Sequence, residues 1–202
     1  MKLWLLRHAQ VLVDPGICYG SSNVDCDTEA TIAAAKNFAP YPAKDCVIWT
    51  SPSARASKLA EAVSQIRPDL NGPNADHRLK EMDFGHWEMQ PWESIPRAAI
   101  DAWVEAFPHY CFGGKECVQD VLDRVAEALT DATLSGVPEM VWITHAGVIR
   151  AVQFLSTKEK RTKISLANEW PSSAPSMGEW ICLEISKEVL ILPKFIWSYQ
   201  FR

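Results

Sequence analysis

The run Lys2-Leu3-Trp4-Leu5-Leu6 leads into Arg7-His8-Ala9, and a second run, Met140-Val141-Trp142-Ile143, leads into Thr144-His145-Ala146-Gly147. Each is a short apolar stretch of the length and character of a buried strand, and each stops at a histidine. In open α/β sheets, ligands gather outside the carboxyl ends of the strands. If the two strands are neighbours, two imidazoles and one guanidinium meet at a single sheet edge. The chain around them alternates strand and helix, which predicts an α/β fold: a three-layer sandwich with a mostly parallel central sheet flanked by helices.

Asp14-Pro15-Gly16 and Gly20-Ser21-Ser22-Asn23 are turn formers, and their place after a strand suits a binding loop. Thr28 to Phe38 reads as an alanine-rich helix and Asp45 to Thr50 as a buried strand. Ser51-Pro52 then signals a helix start, with Ser51 as N-cap and Pro52 at the first helical position, the helix running towards Ile66. Arg67 to Asp76 reads as a polar connection and His77-Arg78-Leu79 as a short strand.

From about 82 to 115 the alternation breaks, and Trp87, Trp92, Trp103, Phe107, Tyr110 and Phe112 fall on short pieces between prolines and glycines. The expected organisation is a single domain over 1–202 with this segment inserted as a small helical cap. Beyond it, Cys117, Val121, Leu122, Val125 and Leu129 recur at helical spacing. Gly147 to Ser156 reads as a further helix. Trp180 to Ile185 and Val189 to Leu192 are expected to close the sheet as a hairpin.

A chain of 202 residues is long enough to bury one sizeable core. Its net charge of -5 argues against a nucleic-acid partner or an anionic membrane surface, both of which draw their affinity from basic surface. No apolar run approaches the roughly 20 residues of a membrane-crossing helix, nor does the N-terminus look like a secretion signal, so the cytoplasm is the expected location. The six cysteines form no C-x-x-C pair. Cys46 and Cys182 read as core residues, and His77, His86 and His109 lack metal-ligand spacing. Neither a metal nor a cofactor is expected, and oligomeric state is not legible.

A histidine that accepts a phosphoryl group must be neutral, held in one tautomer and backed by cations that meet the transition-state charge. Arg7 and His8 are adjacent, so they converge only if the strand ends there and turns. Arg55 falls in the first turn of the predicted helix, where a guanidinium and the helix N-terminus can act on one anion. His145 precedes a small pair, Ala146-Gly147, that lets the backbone approach a ligand, and a protonated imidazole there would share phosphate charge. Glu81, just before the cap, is placed to protonate a leaving oxygen, with Asp83 and Glu88 nearby as alternatives. Tyr19, Gly20 and Trp87 are possible pocket residues. Trp92, Arg97, His109 and Lys115 are cap side chains expected to set specificity.

Four stretches stand in order: Leu6-Arg7-His8-Ala9, Thr50-Ser51-Pro52-Ser53-Ala54-Arg55-Ala56, Leu79-Lys80-Glu81-Met82-Asp83-Phe84-Gly85-His86-Trp87-Glu88, and Thr144-His145-Ala146-Gly147-Val148-Ile149-Arg150. The ordered set resembles the histidine phosphatase superfamily, which includes cofactor-dependent phosphoglycerate mutase and α-ribazole phosphatase, from Lys2 to about Ile185. Cys18-Tyr19-Gly20 and Phe84-Gly85-His86-Trp87-Glu88 look most like the α-ribazole phosphatase branch. The resemblance implies that His8 is the phosphoryl acceptor, that Arg7, Arg55 and His145 bind phosphate, and that Glu81 is the proton donor. It implies metal-free hydrolysis of a small phosphorylated metabolite. The alternatives are a phosphoglycerate mutase-type transfer and a non-catalytic member that binds a phosphorylated ligand. Ala9 and Asp14 depart from the family's usual glycine and asparagine.

Overall fold

In the computed structural model, which describes residues 1–157 and 162–186, the central strands are buried on both faces. In β1 (Lys2–Arg7), Leu3 and Leu5 belong to one core while Trp4 and Leu6 belong to the other. β4 (Glu139–Thr144) repeats the alternation, with Met140 and Trp142 on the first side and Val141 and Ile143 on the second. A strand that is apolar on both faces must lie inside a sheet with a layer on either side. Full burial of each leucine in β1 contributes about 1.5–3 kcal/mol, so this pattern strongly fixes the register.

The five-stranded sheet has the order β3-β2-β4-β1-β5, with β2 at Val47–Thr50, β3 at Asn71–Ala75 and β5 at Trp180–Glu184. The β1–β4, β4–β2 and β2–β3 pairs are parallel, and β5 runs antiparallel along β1. α4 (Val118–Leu134) and α5 (Ala146–Leu155) cover the face of Leu3, Leu5 and Trp142. α1 (Thr28–Phe38) and α2 (Ala54–Ile66) cover the face of Trp4, Leu6 and Ile143. α1 starts where the Asp27 carboxylate accepts the Ala30 amide at 2.9 Å, an N-cap bond that satisfies one of the orphan donors of the first turn.

The structure differs from the sequence reading in four places. α2 begins at Ala54 with Ser53 in the N-cap position, not Ser51. The Ser51 amide is still bonded to the Ile143 carbonyl of β4 at 2.9 Å, and the proline that follows disfavours a helical backbone at Ser51. His77–Leu79 is a single 3-10 turn rather than a strand, fixed by the Asp76 carboxylate accepting the Arg78 amide at 2.8 Å. The strand lies earlier, as β3, within the supposed polar connection. All of its residues are exposed, so it carries no apolar alternation, and its proline is tolerated because the strand is at the sheet edge. Cys182 is exposed on the outer strand β5, whereas Cys46 is buried as expected. Val189 to Leu192 lie outside the described residues.

Between the 3-10 turn and α4, the chain makes short 3-10 turns at Gly85–Trp87 and Trp92–Ser94 and a helix, α3, at Arg97–Glu105. Phe112 is fully buried at their centre, stacked 4.5 Å from Trp103 and 6.0 Å from Trp92. Among the described residues, no helix is long and apolar enough to cross a membrane.

Candidate active site

Register brings the functional side chains level. Arg7 pairs with Thr144 and Thr50 with Ile143, so the three central strands end together. His8 and His145 each stand one residue past their strand, and Ser51 follows β2 in the same way. The His8 amide donates to the Thr144 carbonyl at 3.0 Å, and the two imidazole centroids lie 5.2 Å apart. Strand β1 stops at Arg7, and the charge of Arg7 is felt at His8 next to it.

His8 is buried, and its Nδ1 lies 2.8 Å from the Ala9 carbonyl oxygen. A carbonyl only accepts, so the bond assigns the proton to Nδ1 and leaves the lone pair of the neutral ring on Nε2. Burial, then the Arg55 guanidinium, pushes the His8 pKa down to about 3, so the ring is neutral at physiological pH. Burial, then Arg55, also holds His145 well below the usual histidine range. The protonated His145 anticipated from sequence is therefore not the form this environment favours. Its Nε2 meets the Ser51 hydroxyl at 2.8 Å, and its buried Nδ1 has no partner.

Arg55 is fully buried. Its terminal nitrogens donate to the Ser22 and Gly20 carbonyls at 2.7 and 2.6 Å, while its Nε meets no acceptor. No carboxylate forms a salt bridge with it among the described residues. Burying a charge without a direct ionic partner is costly, so an anion bound beside Arg55 would be favoured. Arg7 repeats the pattern: one terminal nitrogen donates to the Pro175 carbonyl at 3.0 Å, and its buried Nε is unpartnered. Tyr19 lies 5.6 Å from the Arg55 guanidinium, and the Gly20 carbonyl is an Arg55 acceptor, so both belong to this neighbourhood.

The three nearby carboxylates separate by their partners. Asp83 accepts the Gly85 amide at 2.8 Å and shapes that turn. Glu88 accepts the amides of Gly20, Ser21, Ser22 and Phe84, tying the loop after β1 to the segment after Glu81. This role depends on contacts across more than sixty positions, and no local signal announces it. Glu81 accepts the Met82 amide and, at 3.0 Å, the Gly147 amide two residues past His145. Its charge acts on both Arg7 and Arg55. Three bonds hold its segment: Thr144 Oγ1 donates to the Leu79 carbonyl at 2.7 Å, Arg124 to the Arg78 carbonyl at 2.6 Å, and the Asp83 amide to Glu116, itself paired with Arg124.

Comparison with known proteins now fits this geometry. Residues 3–166 match the model of the histidine phosphatase superfamily, branch 1. The chain belongs to that superfamily. It is 29% identical over 178 residues to a candidate phosphoserine phosphatase of Hydrogenobacter thermophilus, covering 84% of this chain and 82% of that protein. A mycobacterial glucosyl-3-phosphoglycerate phosphatase has a similar fold, with a TM-score of 0.75 at 20% identity over 90% of this chain and 88% of that one. A Thermus thermophilus protein gives 0.66 at 22% identity over 91% and 94%.

Other sequence-selected positions of this histidine phosphatase lie outside the cluster. Asp14 is exposed, so it places no charge among the buried arginines. Trp87 packs on His86, 4.3 Å between centroids, and beside Phe112 at 6.0 Å. Arg97 is paired with Asp101 on the surface, His109 is exposed, and Trp92 stacks on Phe112. Lys115 lines a polar cavity of about 330 Å³ beside Glu81, with His77, Lys80, Glu116 and Arg124. A second cavity on Glu81, of about 290 Å³, is lined mostly by apolar side chains. One group of potential metal ligands occurs among the described residues, Cys111, Cys117 and Asp120, and it includes none of the residues above.

Proposed function

We propose that the protein is a metal-free hydrolase of small phosphomonoesters that works through a covalent phosphohistidine on His8. The observation that carries this reading is a set of buried nitrogens without partners, Arg7 Nε, Arg55 Nε and His145 Nδ1, gathered with a neutral imidazole whose Nε2 lone pair is free. Such a set is complementary to an oxyanion that His8 can attack.

In the first step His8 Nε2 bonds to phosphorus and the bond from phosphorus to the alcohol oxygen breaks. Glu81 takes up a proton before this step and gives it to that oxygen. Water then attacks phosphorus, Glu81 takes the water's proton, the N–P bond breaks, and neutral His8 returns with inorganic phosphate released. Arg7 and Arg55 hold the three phosphoryl oxygens throughout. His145 joins them through Nδ1–H in the tautomer for which Ser51 donates to Nε2.

The relatives are named for phosphoserine and glucosyl-3-phosphoglycerate, while the motifs around Cys18 and Phe84 point towards α-ribazole phosphate. A panel holding all three, 3-phosphoglycerate and simple aryl phosphates, assayed in excess EDTA, tests the reading. Phosphate release that persists in EDTA and falls at least about a thousandfold in His8→Ala is expected. Undiminished turnover in His8→Ala, or loss of activity in EDTA, contradicts it. Isomerisation of 3-phosphoglycerate without phosphate release selects the mutase reading, and tight vanadate binding with no turnover selects the ligand-binding one.

A further inference from the structure

The cavity of about 290 Å³ shares Glu81 and Gly147 with the site and runs between α4, α5 and the aromatic segment. Its walls include Met82, Phe84, Trp103, Phe107, Val121 and Trp170. At ~30 Å³ for each water in the liquid, the volume equals about ten waters, enough for an aromatic ring with a short substituent.

Two of its lining residues carry buried donors with no acceptor: the indole N–H of Trp103 and Nε of Arg150. Arg150 forms no ion pair among the described residues, and its charge is felt at Arg7. The chamber is apolar apart from Arg150 and Glu81; Glu81 accepts the Met82 and Gly147 amides, which leaves the guanidinium and the two idle donors to meet an apolar body that bears one carboxylate. With Glu81 carrying the proton it gives to the leaving oxygen, Arg150 is the one charge in the lining, which a single carboxylate neutralises while matching its planar fork and a dianion overshoots.

We propose that this cavity is the subsite for the alcohol half of the substrate, selecting phosphomonoesters whose alcohol is an aryl or comparably bulky apolar group carrying a carboxylate. Arg150 and Trp103 bind that carboxylate. Glu81, which the cavity and the phosphate site share, stands where the alcohol oxygen leaves. The inference rests on the phosphatase reading above and adds a substrate class to it.

The test compares kcat/KM for para-carboxymethylphenyl phosphate and para-isobutylphenyl phosphate, esters matched in heavy-atom count and differing in the carboxylate. The wild type is expected to prefer the first by at least about tenfold, the equivalent of one charge-assisted hydrogen bond. Arg150→Met is expected to bring the ratio to about 1, and Trp103→Phe, which keeps the ring and removes the N–H, to lower it by about threefold. A wild-type ratio near 1, or a ratio unchanged in both variants, overturns the proposal.

If the wild type hydrolyses other monoesters but neither of these, the subsite proposal is overturned; if it hydrolyses no monoester at all, the phosphatase reading fails on its own. The subsite is then read by calorimetry of the alcohols. Para-hydroxyphenylacetate binding at least about tenfold more tightly than para-isobutylphenol, with the difference lost in Arg150→Met, supports the assignment. Equal binding of the two overturns it.

Discussion

His8 shows how burial sets chemistry at a single residue. An unfolded chain takes up a proton on histidine near pH 6.5, whereas folded His8 stays neutral until about 3. Across that window the unfolded state binds more protons, so stability is complete above 6.5 and falls as pH drops towards 3. Removing the imidazole removes that difference. His8→Gln is expected to reduce the loss of unfolding free energy by up to about 1.4 kcal/mol per pH unit, read by urea unfolding at about pH 7.5 and about pH 5. An identical pH slope in the variant contradicts the depressed pKa. At this scale the sequence was informative where residues recur as motifs, as with Arg7, His8, Arg55, Glu81 and His145. It was silent on Ser51 Oγ, which touches His145 instead of capping a helix, because that contact spans 94 positions and needs the β2–β4 register to exist.

Among the elements, the start of α5 couples backbone to chemistry. A Cβ at Gly147 would overlap Glu81 Oε1, while the Gly147 amide is a donor to the same carboxylate. Alanine is the better helix former by up to about 1 kcal/mol. Gly147→Ala is therefore expected to leave thermal stability within about 1 kcal/mol of the parent, while turnover falls about a hundredfold or more through displacement of the proposed acid. Melting curves and kcat read the two effects separately; a fully active variant would show that Glu81 does not act from this position. The elements that were legible, β1, β4, α1 and α4, have strong apolar periodicity. β3 was not, because an exposed edge strand held by pairing to β2 has no period to read. The start of α2 was displaced for a related reason: pairing with β4 extends one residue past β2 and overrides the local Ser-Pro signal.

At the scale of the whole molecule, the double-faced strands β1 and β4 fix the centre of the sheet, and their shared end fixes the site. The loop after β1, fastened by Glu88, and the segment from 78 to 83, fastened by Arg124 and Glu116, bring Arg55 partners and Glu81 to that end. The layers were legible because alternation on both faces admits few architectures. The cavity beside Glu81 was not, since Arg150, Trp103 and Trp170 come from separate parts of the chain and meet only when it is folded. The central claim is tested most directly by mixing enzyme with a labelled phosphomonoester, quenching in base on the millisecond scale and mapping the protein-bound phosphate. The account predicts a phosphoryl group on Nε2 of His8, since Nδ1 is committed to the Ala9 carbonyl. Label on another side chain, or product formation with no protein-bound phosphate at any time, would contradict it.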